Sequence, residues 1–338
     1  MIKSPSKFAI VLALGCLALP ASSRATLAAE REKVWLVSSL DGSRQPSYVI
    51  RPKGFDPAGA KLPLLVGLHT WSNDLEQRNE ALEQQAAARG WLYLWPNFRG
   101  ANKRPQACGS KLAQQDILDA VEWICQRFPV DRCRIYLTGV SGGGYMTMLM
   151  AARHPRVWAA ASAWAGISDL AAWHELHRQD RYGKMLRACC GGAPGTSEEI
   201  DAEYLRRSPL TFLRRGCDVP LDIAHGVHDG HSGSVPVRHA LQAFNALAAA
   251  KHAGLIRETE IAQLSRDDGR LKQPRPGDEG FDRSFARRYY LRRTAGDCRI
   301  TIFEGGHEGI ARAAVAWLAQ HQRKPTKETP CDAAPSNP

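Results

Sequence analysis

Strand-like and helix-like patterns alternate along most of the chain, and this alternation limits the folds that the chain can adopt. Short apolar runs such as LPLLVGLH, WLYLWPN and AAASAWAG are typical of strands buried on both faces. Helix patterns lie between them, such as NDLEQRNEALEQQAAARG, with an Asn or Asp cap and a closing Gly90, and the amphipathic stretch LAQQDILDAVEWICQRF. Eight strand patterns are present. They predict an α/β fold, with a mostly parallel eight-stranded sheet flanked by helices.

Two long segments interrupt the alternation within the predicted domain, which spans residues 30–322. Residues 169–215 lie between the sixth and seventh strand patterns and are predicted to form a lid-like insertion. Residues 255–296 precede the eighth strand pattern and form a second insertion, either a binding loop or a solvated decoration. Residues 323–338 are predicted to be a disordered tail.

The N-terminus has the layout of a secretory signal peptide. Two lysines precede a short apolar stretch, and small residues follow, with candidate cleavage sites after Ala25 and Ala29. We predict that residues 1–29 direct export to the periplasm or the extracellular space. The apolar stretch is well short of the ~20 residues of a membrane helix, so no membrane span is predicted. The less favoured alternative is a lipoprotein acylated at Cys16.

The chain is basic, with a formal net charge of +11. A basic balance is compatible with acidic partners such as nucleic acid or anionic glycans. The arginines are scattered, however, and no nucleic-acid-binding motif accompanies them. The pattern therefore favours a solvated basic surface and predicts no nucleic-acid partner. It does not indicate an oligomeric state.

The cysteines suggest disulfides. The chain has nine, and removal of Cys16 with the signal leaves eight, an even set in a chain predicted to be exported. The sequence leaves the connectivity open. Our hypothesis pairs Cys125 with Cys133 across a helix-to-strand turn, and Cys217 with Cys298 at the starts of two strands. Zinc is the alternative, but no CxxC pair with a matching His or Cys pair supports it, so no metal is predicted.

The segment YLTGVSGGGYM places Ser141 in a GxSxG pattern at residues 139–143, after a strand pattern and before a helix pattern. A P-loop would need a lysine after the glycines, and a dinucleotide fingerprint would need glycine at the position of Ser141. No nucleotide cofactor is therefore predicted. The context fits a nucleophile elbow, in which a strained turn holds the serine above the sheet at a helix N-terminus.

A serine hydroxyl is a weak nucleophile and needs a base. In folds that are built around such an elbow, the chain order is Ser, then acid, then His. His307 follows the last strand pattern in FEGGHEG and is the predicted base. Asp229 lies past the end of the preceding strand, in LDIAHGVHDGHSGSVP, and is the predicted acid. Asp222, inside that strand, is the weaker alternative.

Three further histidines crowd the loop that carries the predicted acid: His225, His228 and His231. A metal site is the more specific interpretation of such a cluster. A loop packed near a cleft is the interpretation that we favour.

An oxyanion hole needs two N–H donors. The first is predicted to be the N–H of Gly142, directly after the nucleophile. The second is predicted to come from the loop after the third strand pattern, GLHTWSND, where the N–H of Trp71 or that of Thr70 is the candidate.

Several segments together resemble the catalytic domain of the prolyl oligopeptidase family, within the α/β-hydrolase superfamily. They are GVSGGGYMTMLMAARHP, HGVHDGHSGSVP and FEGGHEG, supported by WPNFRGA, QQDILDAVEWI and YLRRSPLTFL. The resemblance covers residues 62–320. It implies that Ser141, Asp229 and His307 form a catalytic triad that cleaves an ester or a peptide bond.

The chain departs from the family pattern in three places. Family members usually have two residues between the acid and Val-Pro, whereas GHSGS separates Asp229 from Val235 here. LHTWSND stands where the family has HGGP, so the resemblance implies nothing about the oxyanion loop. Only a short segment precedes the hydrolase core, and no propeller domain is recognised.

These patterns predict an exported serine hydrolase that uses an acyl-enzyme on Ser141. We favour carboxylic esters as substrates, including acetyl or feruloyl esters of polysaccharides. One alternative is a serine-type exopeptidase that acts on short peptides. Another is a binding protein that keeps the fold without turnover, since a fold alone does not fix a function. The predicted partners are a small ester, a glycan-linked ester or a short peptide.

Overall fold

The computed structural model describes Met1 and residues 31–325. In this part of the chain the strands are β1 Arg31–Val37, β2 Arg44–Ile50, β3 Leu62–Leu68, β4 Leu92–Pro96, β5 Val130–Val140, β6 Ala160–Trp164, β7 Leu221–Gly226, β8 Gly280–Asp282, β9 Arg287–Ala295 and β10 Cys298–Phe303. The helices are α1 Glu80–Ala88, α2 Lys111–Arg127, α3 Gly142–Arg153, α4 Leu170–Leu176, α5 Arg181–Cys190, α6 Glu198–Arg207, α7 Pro209–Leu213, α8 Arg238–Ala250, α9 Glu258–Leu264 and α10 Ala311–Leu318.

All the strands of the described residues form one sheet in the order β1-β2-β4-β3-β5-β6-β7-β10-β9-β8. The six central strands, from β4 to β10 in this order, run parallel. The strands β1 and β2 at one edge and β9 and β8 at the other are joined by antiparallel pairs. The sheet is therefore mixed but mostly parallel, which confirms the predicted α/β architecture.

Helices cover both faces of the central strands, which explains their continuous apolar sequences. Leu64 and Val66 of β3 belong to the cluster that includes buried residues of α2, α3 and α8. Leu65, between them, belongs to a second cluster with Leu82 of α1 and Trp317 of α10. Because successive strand side chains point to opposite faces, each apolar residue of the run has a helix to pack against.

The prediction of eight strands is wrong by two. The second predicted insertion, residues 255–296, contains α9 and also contributes β8 and β9 to the sheet. The sequence RRYYLRRTA of β9 gave no strand signal because its arginines interrupt the apolar pattern. Its place next to the sheet edge explains this composition, since β8 pairs only with residues 287–289 and the rest of β9 has no strand on that side.

The first predicted helix begins later than its sequence pattern suggested. The pattern NDLEQRNEALEQQAAARG starts at Asn73, but α1 begins at Glu80. Asn79 is the N-cap, and its side chain accepts a hydrogen bond from the Leu82 N–H. The helix ends just before Gly90, which has a positive φ of 67° and was the predicted stop.

Both predicted disulfide pairings are wrong in the structure. Cys125 is a free thiol on α2, so it is not bonded to Cys133. Cys217 and Cys298 do lie near each other, because both thiols donate to the Val219 carbonyl oxygen, at 3.6 and 3.8 Å. Each is nevertheless a free thiol, and these hydrogen bonds satisfy both.

The ends of the chain fall largely outside the described residues. The predicted signal peptide, apart from Met1, and Cys16 lie there, as do residues 326–338 of the predicted tail. Among the residues that are described, no helix is long and apolar enough to cross a membrane.

The parallel strands bring the predicted functional loops to one edge of the sheet. Ser141 follows β5, Asp229 lies shortly after β7, and His307 lies shortly after β10. The loop that carries Trp71 follows β3. Because these four strands are parallel, their carboxyl ends lie at the same edge, where ligands bind in open α/β sheets.

Candidate active site

Ser141 occupies a strained turn between β5 and α3. Its backbone has φ 59° and ψ −118°, a conformation that costs an L-residue of order 1–3 kcal/mol. The turn is held by its backbone, since the Ser141 N–H donates to Trp164 O at 2.9 Å and its carbonyl accepts from the Tyr145 N–H at 2.8 Å. Serine at a helix N-cap usually caps the helix, but this hydroxyl makes no capping hydrogen bond. The hydroxyl therefore remains available for chemistry.

Glycines around Ser141 allow three chain segments to approach closely. A Cβ on Gly139 would lie 2.5 Å from the carbonyl carbon of Gly143, across the turn. A Cβ on Gly142 would overlap the backbone nitrogen of Trp71, and one on Gly143 would overlap the carbonyl oxygen of Leu68. The glycine-rich sequence is thus required by close packing of the elbow against the end of β3.

His307 and Asp229 are in direct contact. The distance from His307 Nδ1 to Asp229 Oδ2 is 2.6 Å. The loops that carry them are joined by backbone hydrogen bonds, from the Val227 N–H to Phe303 O and from the His228 N–H to Gly305 O. The imidazole is about one quarter exposed, whereas the carboxylate is wholly buried. His307 therefore presents its other nitrogen, Nε2, toward the accessible side of the pair.

The buried Asp229 carboxylate is stabilised by several donors. The Val235 N–H donates to Oδ1 at 3.1 Å, and His225 Nε2 lies 3.0 Å from Oδ2. Burial alone would raise the pKa of Asp229, but the hydrogen bonds from His225 and His307 outweigh it and hold the pKa well below its usual value. The carboxylate is therefore ionised at neutral pH and can orient and stabilise a protonated His307.

The alternative acid, Asp222, has different partners. Its Oδ1 accepts from Arg299 Nε at 2.9 Å, and its Oδ2 accepts from the Ser162 hydroxyl at 2.9 Å. It lies within β7, away from the carboxyl end of the sheet. Of the two candidate acids, the structure thus brings only Asp229 into contact with His307.

The loop of His307 also packs against the elbow. Gly309 lies so close to Val140, the residue before Ser141, that a Cβ on Gly309 would overlap the Val140 side chain. Within residues 31–325, no hydrogen bond joins Ser141 Oγ to His307 Nε2. Such catalytic hydrogen bonds are often long before substrate binds and tighten in the complex.

The backbone donors of the predicted oxyanion hole lie side by side. The Trp71 nitrogen is in the immediate vicinity of the Gly142 Cα. The Thr70 N–H is already used, since it donates to Gln77 Oε1 at 2.8 Å. The Trp71 N–H has no acceptor among the described residues, and the Gly142 N–H belongs to the first turn of α3, where N–H groups lack intrahelical partners. Both donors can therefore face a developing oxyanion.

The three neighbouring histidines have separate partners. His225 contacts Asp229, His228 Nε2 lies 2.7 Å from Glu304 Oε1, and His231 Nδ1 lies 2.7 Å from Asp267 Oδ1. They do not converge on a common point. In the described part of the chain, no group of three or more His, Cys, Asp or Glu side chains is placed to hold a metal ion.

The first predicted insertion touches two loops of the site. Trp173 Nε1 and His177 Nε2, on and just after α4, both contact the Ser234 carbonyl oxygen, at 2.8 and 2.7 Å. Ser234 lies in the loop that follows Asp229. Met185 of α5 is 3.9 Å from the hydroxyl of Ser72, which follows Trp71. These helices therefore rest on both the acid loop and the oxyanion loop.

One close neighbour of the site, Gly233, was not predicted from the sequence. A Cβ on this residue would overlap Asp229 Oδ1 and would lie 2.8 Å from His307 Cβ. Gly233 belongs to the GHSGS segment that departs from the family pattern. The only sequence signal was a second glycine in a loop longer than usual, and this did not indicate its contacts.

The fold and the arrangement of these residues are those of an α/β-hydrolase. Residues 79–258, just over half of the chain, match the model of the prolyl oligopeptidase family. The chain therefore belongs to the prolyl oligopeptidase family, a family of serine hydrolases.

Curated relatives include both peptidases and esterases. The Bacillus subtilis protein named uncharacterized peptidase YtmA is 28% identical over 159 residues, which cover 46% of this chain and 58% of that protein. Acetylxylan esterase A of Emericella nidulans is 28% identical over 120 residues, which cover 36% of this chain and 32% of the esterase. The matches thus span little more than half of the first relative and about a third of the second.

Solved structures show the same fold at low sequence identity. A puromycin-hydrolyzing peptidase of Mycobacterium tuberculosis matches with a TM-score of 0.58 at 19% identity, covering 86% of this chain and 38% of the peptidase. The uncomplexed acylaminoacyl peptidase of Pyrococcus horikoshii matches with a TM-score of 0.58 at 19% identity, covering 85% and 40%. At these identities the likeness shows the fold alone.

Proposed function

We propose that this protein is a serine hydrolase that cleaves carboxylic esters through an acyl-enzyme on Ser141. The observation that carries the proposal is the 2.6 Å contact between His307 Nδ1 and Asp229 Oδ2, at the same sheet edge as a strained serine whose hydroxyl caps nothing. A nucleophile, a base and a residue that orients the base are the three parts that acyl transfer requires.

The proposed reaction has two stages. Ser141 Oγ attacks the acyl carbonyl carbon while His307 Nε2 takes the hydroxyl proton, and the N–H groups of Gly142 and Trp71 stabilise the oxyanion. His307 then gives the proton to the leaving alcohol as the C–O bond breaks. In the second stage His307 activates a water molecule, which releases the acid and restores Ser141. Asp229 stabilises the imidazolium throughout.

The similarity to acetylxylan esterases supports an ester, and within that class we favour acetyl or feruloyl groups on polysaccharides. The similarity to a peptidase of Bacillus subtilis supports a second candidate, cleavage of short peptides. Both reactions would use the same acyl-enzyme. Export to the periplasm or beyond is also part of the proposal and rests on the N-terminal sequence. Recovery of the uncleaved full chain in the cytoplasm of expressing cells would reject export.

Labelling with a fluorophosphonate probe tests the proposed nucleophile. The intact protein should be labelled, and Ser141→Ala should not be labelled and should lose on the order of 10⁶ in turnover. Ser43→Ala is the control, since Ser43 lies in the exposed turn between β1 and β2 and its side chain contacts Asp41 and Gln45. An intact protein that resists the probe, or equal labelling of Ser141→Ala, would favour the non-catalytic alternative.

Parallel substrate assays separate the ester from the peptide candidate. The panel is p-nitrophenyl acetate, methyl ferulate, acetylated xylan, and the p-nitroanilides of proline and alanine. We expect turnover of the esters, with the natural group indicated by the highest kcat/KM. Activity confined to the anilides would reject the ester proposal and support the peptidase candidate.

A further inference from the structure

His225 is a buried histidine that contacts the proposed acid, Asp229. It lies in β7, four residues before Asp229, and its side chain is wholly buried. Its Nε2 is 3.0 Å from Asp229 Oδ2 and 2.9 Å from the Val235 carbonyl oxygen. The same Oδ2 is 2.6 Å from His307 Nδ1.

The partners of His225 fix the position of its proton. An ionised carboxylate and a carbonyl oxygen are both acceptors, so Nε2 must carry the hydrogen. Nδ1 is buried and has no hydrogen-bond partner among the described residues. A buried polar atom without a partner is costly, so packing alone would favour an apolar side chain at this position. The favourable contacts that Nε2 makes with Asp229 and Val235 offset this cost.

The contacts of His225 link the two ends of the loop at residues 229–235, which is longer than in the family pattern. Residues 229–235 include the GHSGS segment, and a longer loop gives Asp229 more conformational freedom. Val235, at the far end, donates its N–H to Asp229 Oδ1 at 3.1 Å and offers its carbonyl to His225. Both carboxylate oxygens are thereby held, one by Val235 and one by His225, and the plane of the carboxylate is set for His307.

We infer that His225 is a positioning residue of the proposed reaction, which holds Asp229 against His307 by donating its Nε2 proton to Asp229 Oδ2 and to the Val235 carbonyl. The inference rests on the proposed function, because it assigns a role in orienting the proposed base. His225 itself does not reach the substrate side of the pair, where His307 Nε2 lies.

Two substitutions test the inference, His225→Gln and His225→Asn, whose amide side chains differ in length by one methylene. The amide nitrogen of His225→Gln can reach the place of Nε2, whereas that of His225→Asn reaches only the place of Nδ1. We expect His225→Asn to lose about 10-fold to 100-fold in kcat on p-nitrophenyl acetate, because a misaligned base is slow. KM should change by less than about 2-fold, since substrate binding is untouched. His225→Gln should stay within about 3-fold of the intact protein.

A double-variant cycle separates positioning from general stability. If His225 acts through Asp229, adding His225→Asn to Asp229→Ala should cause less than about 2-fold further loss. Equal kcat losses in His225→Gln and His225→Asn would overturn the inference. An unchanged kcat in His225→Asn would also overturn it. So would a loss of kcat from His225→Asn that is the same in the Asp229→Ala background as in the intact protein.

Failure of the inference can be told apart from failure of the proposed function. Fluorophosphonate labelling of Ser141 in the intact protein reports on the proposed function alone. A labelled, active protein whose His225 variants behave as the intact protein would overturn the positioning role only. If His225→Asn does not fold, the inference still requires His225→Gln to keep its kcat, and a folded but slow His225→Gln would overturn it.

Discussion

Gly233 packs against both the acid and the base of the proposed triad, and its lack of a side chain makes this possible. A Cβ would overlap Asp229 Oδ1 and lie 2.8 Å from His307 Cβ. Gly233→Ala must therefore push the carboxylate or the imidazole aside. We expect kcat to fall on the order of 10-fold to 100-fold, with the protein still folded, because small displacements of catalytic groups have effects of this size. Steady-state hydrolysis of p-nitrophenyl acetate measures the change.

Gly254→Ala is the matched control for this prediction. Gly254 is exposed, and the nearest atom to a Cβ there would be Arg275 Nη1, at an ordinary 3.9 Å. Its kcat should stay within about 2-fold of the intact protein. If the two alanine variants had the same kcat, the close packing of Gly233 would have no role in catalysis.

Single residues differ in how far the sequence could predict their positions. Ser141 and His307 were predictable because each sits at a strand end in a fixed chain order, and strand ends are visible as changes of pattern. The choice of Asp229 over Asp222 followed from the same rule. Gly233 and His225 were not assigned roles, because their contacts depend on how a seven-residue loop folds back on itself. Loop conformation of this kind has no periodic signal.

At the scale of elements, β9 holds the loop that carries His307. Arg287 of β9 contacts Glu308 Oε1 at 2.6 Å and donates to the Glu304 carbonyl at 3.2 Å. The Tyr290 hydroxyl, on the same strand, donates a hydrogen bond to the Glu304 carboxylate. Glu304 precedes His307 in the chain and Glu308 follows it, so β9 contacts the loop on both sides of His307. Part of the segment predicted as a second insertion therefore contacts the loop that carries His307.

Arg287→Ala tests this support. Loss of the two contacts should let the 304–308 loop move, and we expect kcat to fall by about 3-fold to 10-fold on p-nitrophenyl acetate. Stability should change little, since Arg287 is over one-third exposed and such ion pairs contribute at most about 1 kcal/mol.

The neighbouring Arg288→Ala is the control for that variant, because Arg288 is exposed and contacts Glu304 only through its backbone. It should leave kcat unchanged. An equal loss of kcat in both variants would indicate that the basic charge of the strand matters, and not the contacts of Arg287. An unchanged kcat in Arg287→Ala would show that the loop needs no support from β9.

Elements were predictable where their pattern was simple. The central strands appeared as apolar runs because both of their faces are covered by helices. The strand β9 has two pairs of arginines around its apolar residues, and β8 has only three residues, so neither stood out. The start of α1 was misjudged because the polar residues before Asn79 continue the composition of the helix while forming turns.

At the scale of the whole molecule, three arginines are paired with carboxylates inside the protein. Arg99 is buried against Asp116 and Asp41, and Arg293 is buried between Glu260 and Asp278. Arg207 donates to three backbone carbonyls of the 105–108 loop and pairs with Glu203. These three arginines are matched by five carboxylates, so they do not account for the net charge of +11. Buried pairs of this kind also make folding stability depend on pH.

The pH dependence of folding stability should be measurable at the carboxylate of Glu260. It lies in α9 and pairs with Arg293 of β9 at 2.8 Å. Burial would raise the pKa of Glu260, but hydrogen bonds from Arg293 and from the Arg257 N–H lower it to about 2. A carboxylate whose pKa is lower in the folded state stabilises the fold above its usual pKa. That stabilisation is lost as pH falls from about 5 toward 2.

Urea unfolding of Glu260→Gln at two pH values tests this dependence. At pH 7 the variant should lose on the order of 3 kcal/mol in unfolding free energy, because the charged pair is broken in a buried site. At pH 3 the difference from the intact protein should shrink by roughly half, since the unfolded carboxyl is then already protonated. Glu258→Gln, in the same helix but largely exposed beside Arg238, should change stability by less than about 1 kcal/mol at both pH values. A deficit in Glu260→Gln that is equal at pH 7 and pH 3 would mean that its side chain contributes by packing, and not through its charge.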